Sequence, residues 1–458
     1  MKKHCYLILL LLIPLLSKAQ EYQTKDILST FLEELKEFKV FVPKNYSFSK
    51  NNYPLSIVLD ADELFDSYVS TAKLYASKGQ APSQIIVGIS QDLPSLKERD
   101  YGYEFTNSYP TESSVNTLGF IKQELVPYME KNFRISSFKT IVGIGITANF
   151  SNYFLMDEVP TFQSYININP SYAPDLYKYI KEFAAAISED EVYYYIGHGN
   201  NLTEKESKLI NSIDKQLMGI DSTYFHYNYE KFPKSRNFVS IPQGLASAQA
   251  FTFENFSPVS KEEFNKNIAF LSPKAAMEYL IYKYENIEYL YGQKTPIRID
   301  DFIAVENIIM DKENGDYLKE FGELALEKHP KDALGNYYIG KFYEDMNDLK
   351  LALKQYKIGY SKIPRNAKNS EAFYKNIERI IALKADANNK ISEEYEDDFD
   401  MDAEDNYDEN SEDDYDMEND EDSSEDSDED YDIETDEEPE NDYDSNINSA
   451  EESNNDYE

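Results

Sequence analysis

The chain has 458 residues, 45 of them basic and 86 acidic, for a formal net charge of −41. After Lys390 there is no Lys or Arg, and 36 acidic residues lie between Ile391 and Glu458. Residues 1–390 carry 45 basic and 50 acidic side chains, net −5, so a nearly neutral body carries a polyanionic tail that repels phosphates and excludes nucleic-acid binding through it.

The chain opens with Met1-Lys2-Lys3, an apolar run from Tyr6 to Leu16, and small residues at Ser17 and Ala19 before Gln20. That run is too short to span a bilayer and reads as a signal peptide over residues 1–19. The expectation is an exported protein, periplasmic or extracellular at a cell surface, with no transmembrane segment. The single cysteine, Cys5, precedes the apolar run. The mature chain therefore has no disulfide, thiol nucleophile or thiolate metal site.

From Glu37 to about Phe251 short apolar runs alternate with longer amphipathic ones. Strands are expected at 38–42, 55–60, 84–89, 139–144, 164–168, 191–196 and 222–229. Helices are expected at 64–77, 118–131, 148–156, 175–187, 204–218 and 243–251. Continuous Ile/Val/Tyr strands fit a sheet covered on both faces. The alternation predicts a three-layer α/β sandwich with a mostly parallel sheet over residues 20–258.

From Lys261 the strand signals stop, and helices are expected at 273–291, 299–310 and 314–328. Ala325 and Pro330 recur 34 residues later as Gly359 and Pro364, with Ile339, Gly340, Tyr343, Ala352 and Tyr356 between them. The spacing resembles a tetratricopeptide repeat, in which small residues permit close helix crossing and aromatics fill the gap. One unit spans about Leu334–Pro364, with Asn336 where the repeat prefers a large aromatic, and 367–383 reads as a capping helix. Residues 259–388 are thus an all-α, tetratricopeptide-like region offering a surface for a protein partner. Residues 389–458 read as a disordered acidic tail. It reads either as a solvated tail that improves solubility or as a polyanion for basic proteins or weakly held Ca²⁺. Asp398, Asp400 and Asp402 alternate like ligands, but no Gly or closing Glu completes a calcium loop.

Six segments in order give the α/β region a family likeness: Val40-Phe41-Val42-Pro43, Tyr53-Pro54 through Leu59-Asp60-Ala61-Asp62, Ile86-Val87-Gly88-Ile89 with Arg99-Asp100, Glu124-Leu125-Val126-Pro127-Tyr128, Asn132-Phe133-Arg134, and Asn169-Pro170-Ser171. Together they resemble the esterase family of α/β-hydrolase fold that contains enterochelin-type esterases. The resemblance implies a Ser on a tight strand-to-helix turn in a Gly-His-Ser-x-Gly-Gly setting, a His in a His-x-Ser-x-Pro stretch, and an acid after a late strand. Here the turn reads Gly143-Ile144-Gly145-Ile146-Thr147-Ala148, which puts Gly145 at the nucleophile. Phe238 stands at the base position and Asn200 nearest the acid. Neither glycine nor phenylalanine can attack a carbonyl or carry a proton.

The expectation is therefore a catalytically inactive esterase-family protein that binds or scaffolds in the bacterial cell envelope, with no cofactor and no metal. The alternative is an active carboxylic-ester hydrolase with Thr147 as relocated nucleophile and His198 as base. His226 reads as packing in a Tyr-rich strand and His329 as a helix-end residue.

Overall fold

The computed structural model describes residues 22–91, 93–157, 159–220, 223–310, 317–364 and 370–399. Residues 1–21, with Cys5, and those beyond Phe399 lie outside the described residues. Of the three alternating aspartates, only the backbone of Asp398 falls within them.

Eight strands form one sheet: β1 (Tyr22–Leu28), β2 (Leu35–Phe41), β3 (Tyr53–Leu59), β4 (Ile85–Ile89), β5 (Ile135–Ile144), β6 (Ser164–Ile168), β7 (Val192–His198) and β8 (Phe225–Lys231). Their order is β1-β2-β4-β3-β5-β6-β7-β8, antiparallel at β1–β2 and β2–β4 and parallel elsewhere. Between them run α1 (Ala61–Ser77), α2 (Pro94–Tyr101), α3 (Glu112–Gly119), α4 (Val126–Asn132), α5 (Ile146–Ser151), α6 (Leu176–Ala186), α7 (Glu204–Leu217) and α8 (Asn237–Thr252). A π-helical turn, Phe120–Leu125, joins α3 to α4.

The unbroken apolar strands are explained by the two-residue period of the pleat. Ile57, Val87, Ile141 and Tyr194 face one layer with α6 and α7, whereas Val58, Ile86, Val142 and Tyr195 face the other with α1 and α8. Tyr193, Tyr194 and Tyr195 are each fully buried, in three different clusters. The third cluster joins the sheet to the helices that follow: α9 (Pro273–Tyr291), α10 (Ile299–Ile309), α11 (Leu318–Lys328), α12 (Leu334–Asp345), α13 (Leu349–Ser361) and α14 (Ser370–Phe399). In it Tyr291 packs against Phe138, Phe253 and Phe256, with ring centroids 5.1, 5.6 and 5.9 Å away.

Three sequence expectations need correction. β1 was not anticipated: it is an edge strand whose alternation is mostly exposed, so its apolar signal is weak. α8 begins six residues before 243 and carries Pro242 inside it. A proline normally marks a first turn, and here its missing N–H leaves the Phe238 carbonyl without an i+4 donor, near enough to the helix start to be tolerated. α14 stays helical to Phe399, past the expected start of the tail at 389, because glutamate is itself a good helix former.

Two carboxylates predict an acid response. Glu124 accepts from Ser29 Oγ at 2.6 Å and Thr30 N at 2.8 Å, pinning the β1–β2 turn to the π-helical turn. Burial alone would raise its pKa, but these bonds outweigh it and hold the carboxyl below its ordinary 4.5. Glu191 is held low first by His226. A carboxyl with a lowered folded pKa stabilises above its unfolded value and loses that contribution as pH falls through the folded one. Denaturant midpoints measured from pH 7 downward should therefore stay level and then fall below about 4.5. Glu124→Gln should be less stable than the parent at pH 7, and the difference should shrink in acid.

Candidate functional site

The turn after β5 puts Gly145 in a conformation that L-residues rarely adopt, φ 59° and ψ −118°, immediately before α5. Its N–H donates to the Ile168 carbonyl at 3.2 Å, and its own carbonyl accepts from Ser171 N at 3.0 Å. The turn is thus clamped to the end of β6. It is also tight: a Cβ at Gly143 would lie 2.5 Å from the Thr147 carbonyl carbon and 2.6 Å from Ala148 N. Gly143 is required by that approach.

Gly145 is different. A Cβ there would meet nothing nearer than Ser171 Oγ, at 4.0 Å. The space beside its α-carbon is open, and only the positive φ favours glycine. Gly145→Ser should fold with a loss of about 1–3 kcal/mol from backbone strain. It should give no ester turnover, since it supplies a hydroxyl and no base; this is checked by thermal denaturation and a chromogenic ester assay.

Thr147 is fully buried in the first turn of α5. Its Oγ1 donates to Asp60 Oδ2 at 2.5 Å and also contacts the Ile144 backbone. Asp60 sits in the β3–α1 turn with φ 53°, 2% exposed, and pairs through its other oxygen with Lys97 Nζ of α2 at 2.5 Å. Burial pushes its pKa up, against the pull of Lys97 and Thr147. The threonine hydroxyl therefore ties the β5 turn to the β3 turn.

His198 ends β7 and is 3% exposed. Its Nδ1 lies 2.6 Å from the Gly199 carbonyl, which can only accept, so Nδ1 carries the proton. Nε2 is then left to accept from Tyr229 Oη at 2.8 Å. Burial pushes its pKa down. Both nitrogens are engaged, neither by Thr147. His226 stacks on Tyr193, with ring centroids 4.6 Å apart, and His329 Nε2 meets the Ile297 carbonyl at 2.6 Å at the end of α11.

Asn200 is exposed and serves its own loop: its N–H donates to Ser235 O and its Nδ2 to Pro233 O, both at 2.9 Å. Phe238 lies in the first turn of α8 and is 82% exposed. It does not pack down over Gly145.

Three contacts at this sheet edge were missed by sequence reasoning. Asn169, at φ 41°, accepts from Gly199 N at 2.9 Å and Ser240 Oγ at 3.1 Å, joining the ends of β6, β7 and α8. Ser171 Oγ, beside the open place at Gly145, donates to Glu206 Oε1 at 3.1 Å. Burial opposes ionisation of Glu206, but bonds from Thr203 and Ser171 hold its pKa low. Phe105, 71% exposed, stacks near Tyr103 and lies under Lys205 at 5.1 Å. Among the described residues no three His, Asp or Glu side chains converge as metal ligands.

Residues 29–165 match the family "Putative esterase". That segment contains the Gly143–Thr147 turn and Asp60 but neither Asn200 nor Phe238. With the strand order above, the assignment follows. The fold is α/β-hydrolase-like. An uncharacterised protein from Capnocytophaga ochracea superimposes on it with a TM-score of 0.66 at 22% identity, over 79% of this chain and 99% of that one. An IroE-like serine hydrolase from Shewanella oneidensis gives 0.51 at 18% identity, over 67% of this chain and 99% of that one. At these identities the likeness carries the fold alone. No curated protein matches the sequence. Among the described residues no helix is long and apolar enough to cross a membrane.

Proposed function

We propose that this chain is an exported esterase-family protein that has given up hydrolysis and works as a binding or scaffold protein in the bacterial cell envelope. One observation carries the reading: Gly145 occupies the strained strand-to-helix turn where the family places its nucleophile, and it has no side chain. Acyl transfer on this fold needs a hydroxyl at that turn and an imidazole to take its proton. Phe238 points to solvent, and His198 Nε2 is taken up by Tyr229 Oη. The contacts of Thr147 with Asp60 and of His198 with Tyr229 weigh against a Thr147–His198 pair.

The C-terminal edge of the sheet, here the ends of β5, β6 and β7, is where such a fold holds its ligand. The helices α11 to α14 form a second surface, which we read as tetratricopeptide-like and protein-binding. The 34-residue spacing supports this, as do two close approaches: a Cβ at Gly340 would meet the Tyr356 ring at 2.7 Å, and one at Gly359 the Phe373 ring at 2.5 Å. We assign residues 389–458 to capture of basic proteins or weakly held Ca²⁺.

The test is a panel of aryl-acyl, ferric-siderophore and thioester substrates on the purified chain lacking residues 1–19. The expected result is no turnover above the buffer rate. Saturable hydrolysis that Thr147→Ala or His198→Ala abolishes would overturn the reading. Export is tested separately by N-terminal sequencing of the secreted protein, which should begin at Gln20.

A further inference from the structure

β1 and β8 are the outer strands of the sheet, and each has one strand neighbour among the described residues. In β8 the inward side is fixed by two bonds to β7: Tyr224 O accepts from Val192 N at 2.7 Å, and Phe232 N donates to His198 O at 2.8 Å. Even-numbered residues of β8 therefore turn their backbone groups toward β7, and Phe225, Tyr227, Tyr229 and Lys231 turn theirs outward. Among the described residues no backbone partner reaches those outward groups. Such an edge is a template for another strand. β8 also lacks the usual guards in its middle, since it has no proline and its one lysine, Lys231, is its last residue.

The strand is complementary to itself. Two copies laid antiparallel about a two-fold axis at Asn228 overlap along all seven residues. Tyr227 then stands opposite Tyr229 of the second copy, His226 opposite Glu230, and Phe225 opposite Lys231. One step further, Tyr224, 39% exposed, comes opposite Phe232. The odd-numbered pairs are the ones that exchange backbone hydrogen bonds. Aromatic pairs and pairs of opposite charge stabilise neighbouring strands when they stand directly across. Glu230 accepts from Tyr195 Oη at 3.3 Å through one oxygen, which leaves the other for the imidazole. His226 Nε2 is buried, 3.5 Å from Glu191, so Nδ1 is the nitrogen left for that contact. The same operation on β1 centres on Lys25 and sets it against its own copy, a like-charge pair at the axis.

We propose that β8 is a self-association edge: two copies of this chain pair through it, antiparallel and centred on Asn228, so that their two sheets run on as one. The interface is isologous, each contact occurring twice. It does not rest on the reading of Gly145.

The test is sedimentation velocity on the purified chain lacking residues 1–19, from micromolar concentration upward. High salt screens the repulsion between chains of net charge −41. The expected species has twice the mass of one chain. Asn228→Lys puts like charges together at the axis and should weaken association by about a hundredfold or more. Asn228 is half-buried at the sheet edge, so this variant should fold, which its circular dichroism verifies. A second variant tests the register. Cys5 is the only cysteine, so the shortened chain has none. In Asn228→Cys the two α-carbons at the axis would lie about 4.5 Å apart, within disulfide reach. Mild oxidation should join two chains covalently in Asn228→Cys and leave Lys25→Cys single. A monomer at every concentration, association unaltered in Asn228→Lys, or cross-linking as ready in Lys25→Cys as in Asn228→Cys would each overturn the proposal.

Discussion

Gly143→Ala should cost about 3 kcal/mol or more of folding stability, far more than one methyl group ordinarily costs. The added carbon would sit 2.5–2.6 Å from the Thr147 carbonyl group and Ala148 N, which are backbone atoms and cannot rotate away. Relief requires lifting α5 off β5. That movement pulls Thr147 Oγ1 from the buried Asp60 carboxylate and the Gly145 carbonyl from Ser171 N. The cost is therefore steric crowding together with lost bonds to a buried charge. Urea denaturation of Gly143→Ala beside Gly145→Ala is the check. The first should be crippled, and the second should lose only about 1–3 kcal/mol from its positive φ. Equal and small losses would mean that the turn is looser than described.

Tyr291→Ala should cost about 3–5 kcal/mol, the range for emptying a large aromatic from a packed core. Tyr291 is fully buried at the end of α9 and holds Phe138 of β5 together with Phe253 and Phe256, so its loss should also loosen α9 from the sheet. The partner substitution sharpens the test. The Tyr291 hydroxyl is buried and has no hydrogen-bond partner. Tyr291→Phe removes it without emptying the ring's place, so stability should hold or rise by about 1 kcal/mol. A large loss in Tyr291→Phe would show that the hydroxyl has an acceptor after all.

The fold was legible because its signals are local. Both faces of the sheet are covered, so β3, β4 and β7 are buried throughout and mostly apolar, and the helices between them keep their own period. Elements that lean on distant partners were harder to see. β1 is half-exposed and reads as loop, α2 has little amphipathic pattern, and Pro242 disguises the start of α8. The turn at Gly143–Thr147 was visible as a strand followed by spaced glycines. What surrounds it was not, because the deciding contacts join residues far apart in sequence. Thr147 meets Asp60 across 87 positions and Ser171 meets Glu206 across 35. A buried aspartate at the end of a strand was the one available hint of the first. The place of His198 at a strand end was legible in the sequence, but only coordinates reveal that Tyr229 Oη engages its Nε2.

The reading of this chain as a non-catalytic relative of esterases rests on the absence of an activated hydroxyl at the β5 turn. Intact-mass analysis after incubation with an alkyl fluorophosphonate examines that directly, since the reagent reacts with activated hydroxyls and leaves ordinary ones untouched. The account predicts an unchanged mass for the mature chain. A stoichiometric adduct mapping to Thr147, or to Ser171 beside Gly145, would contradict it.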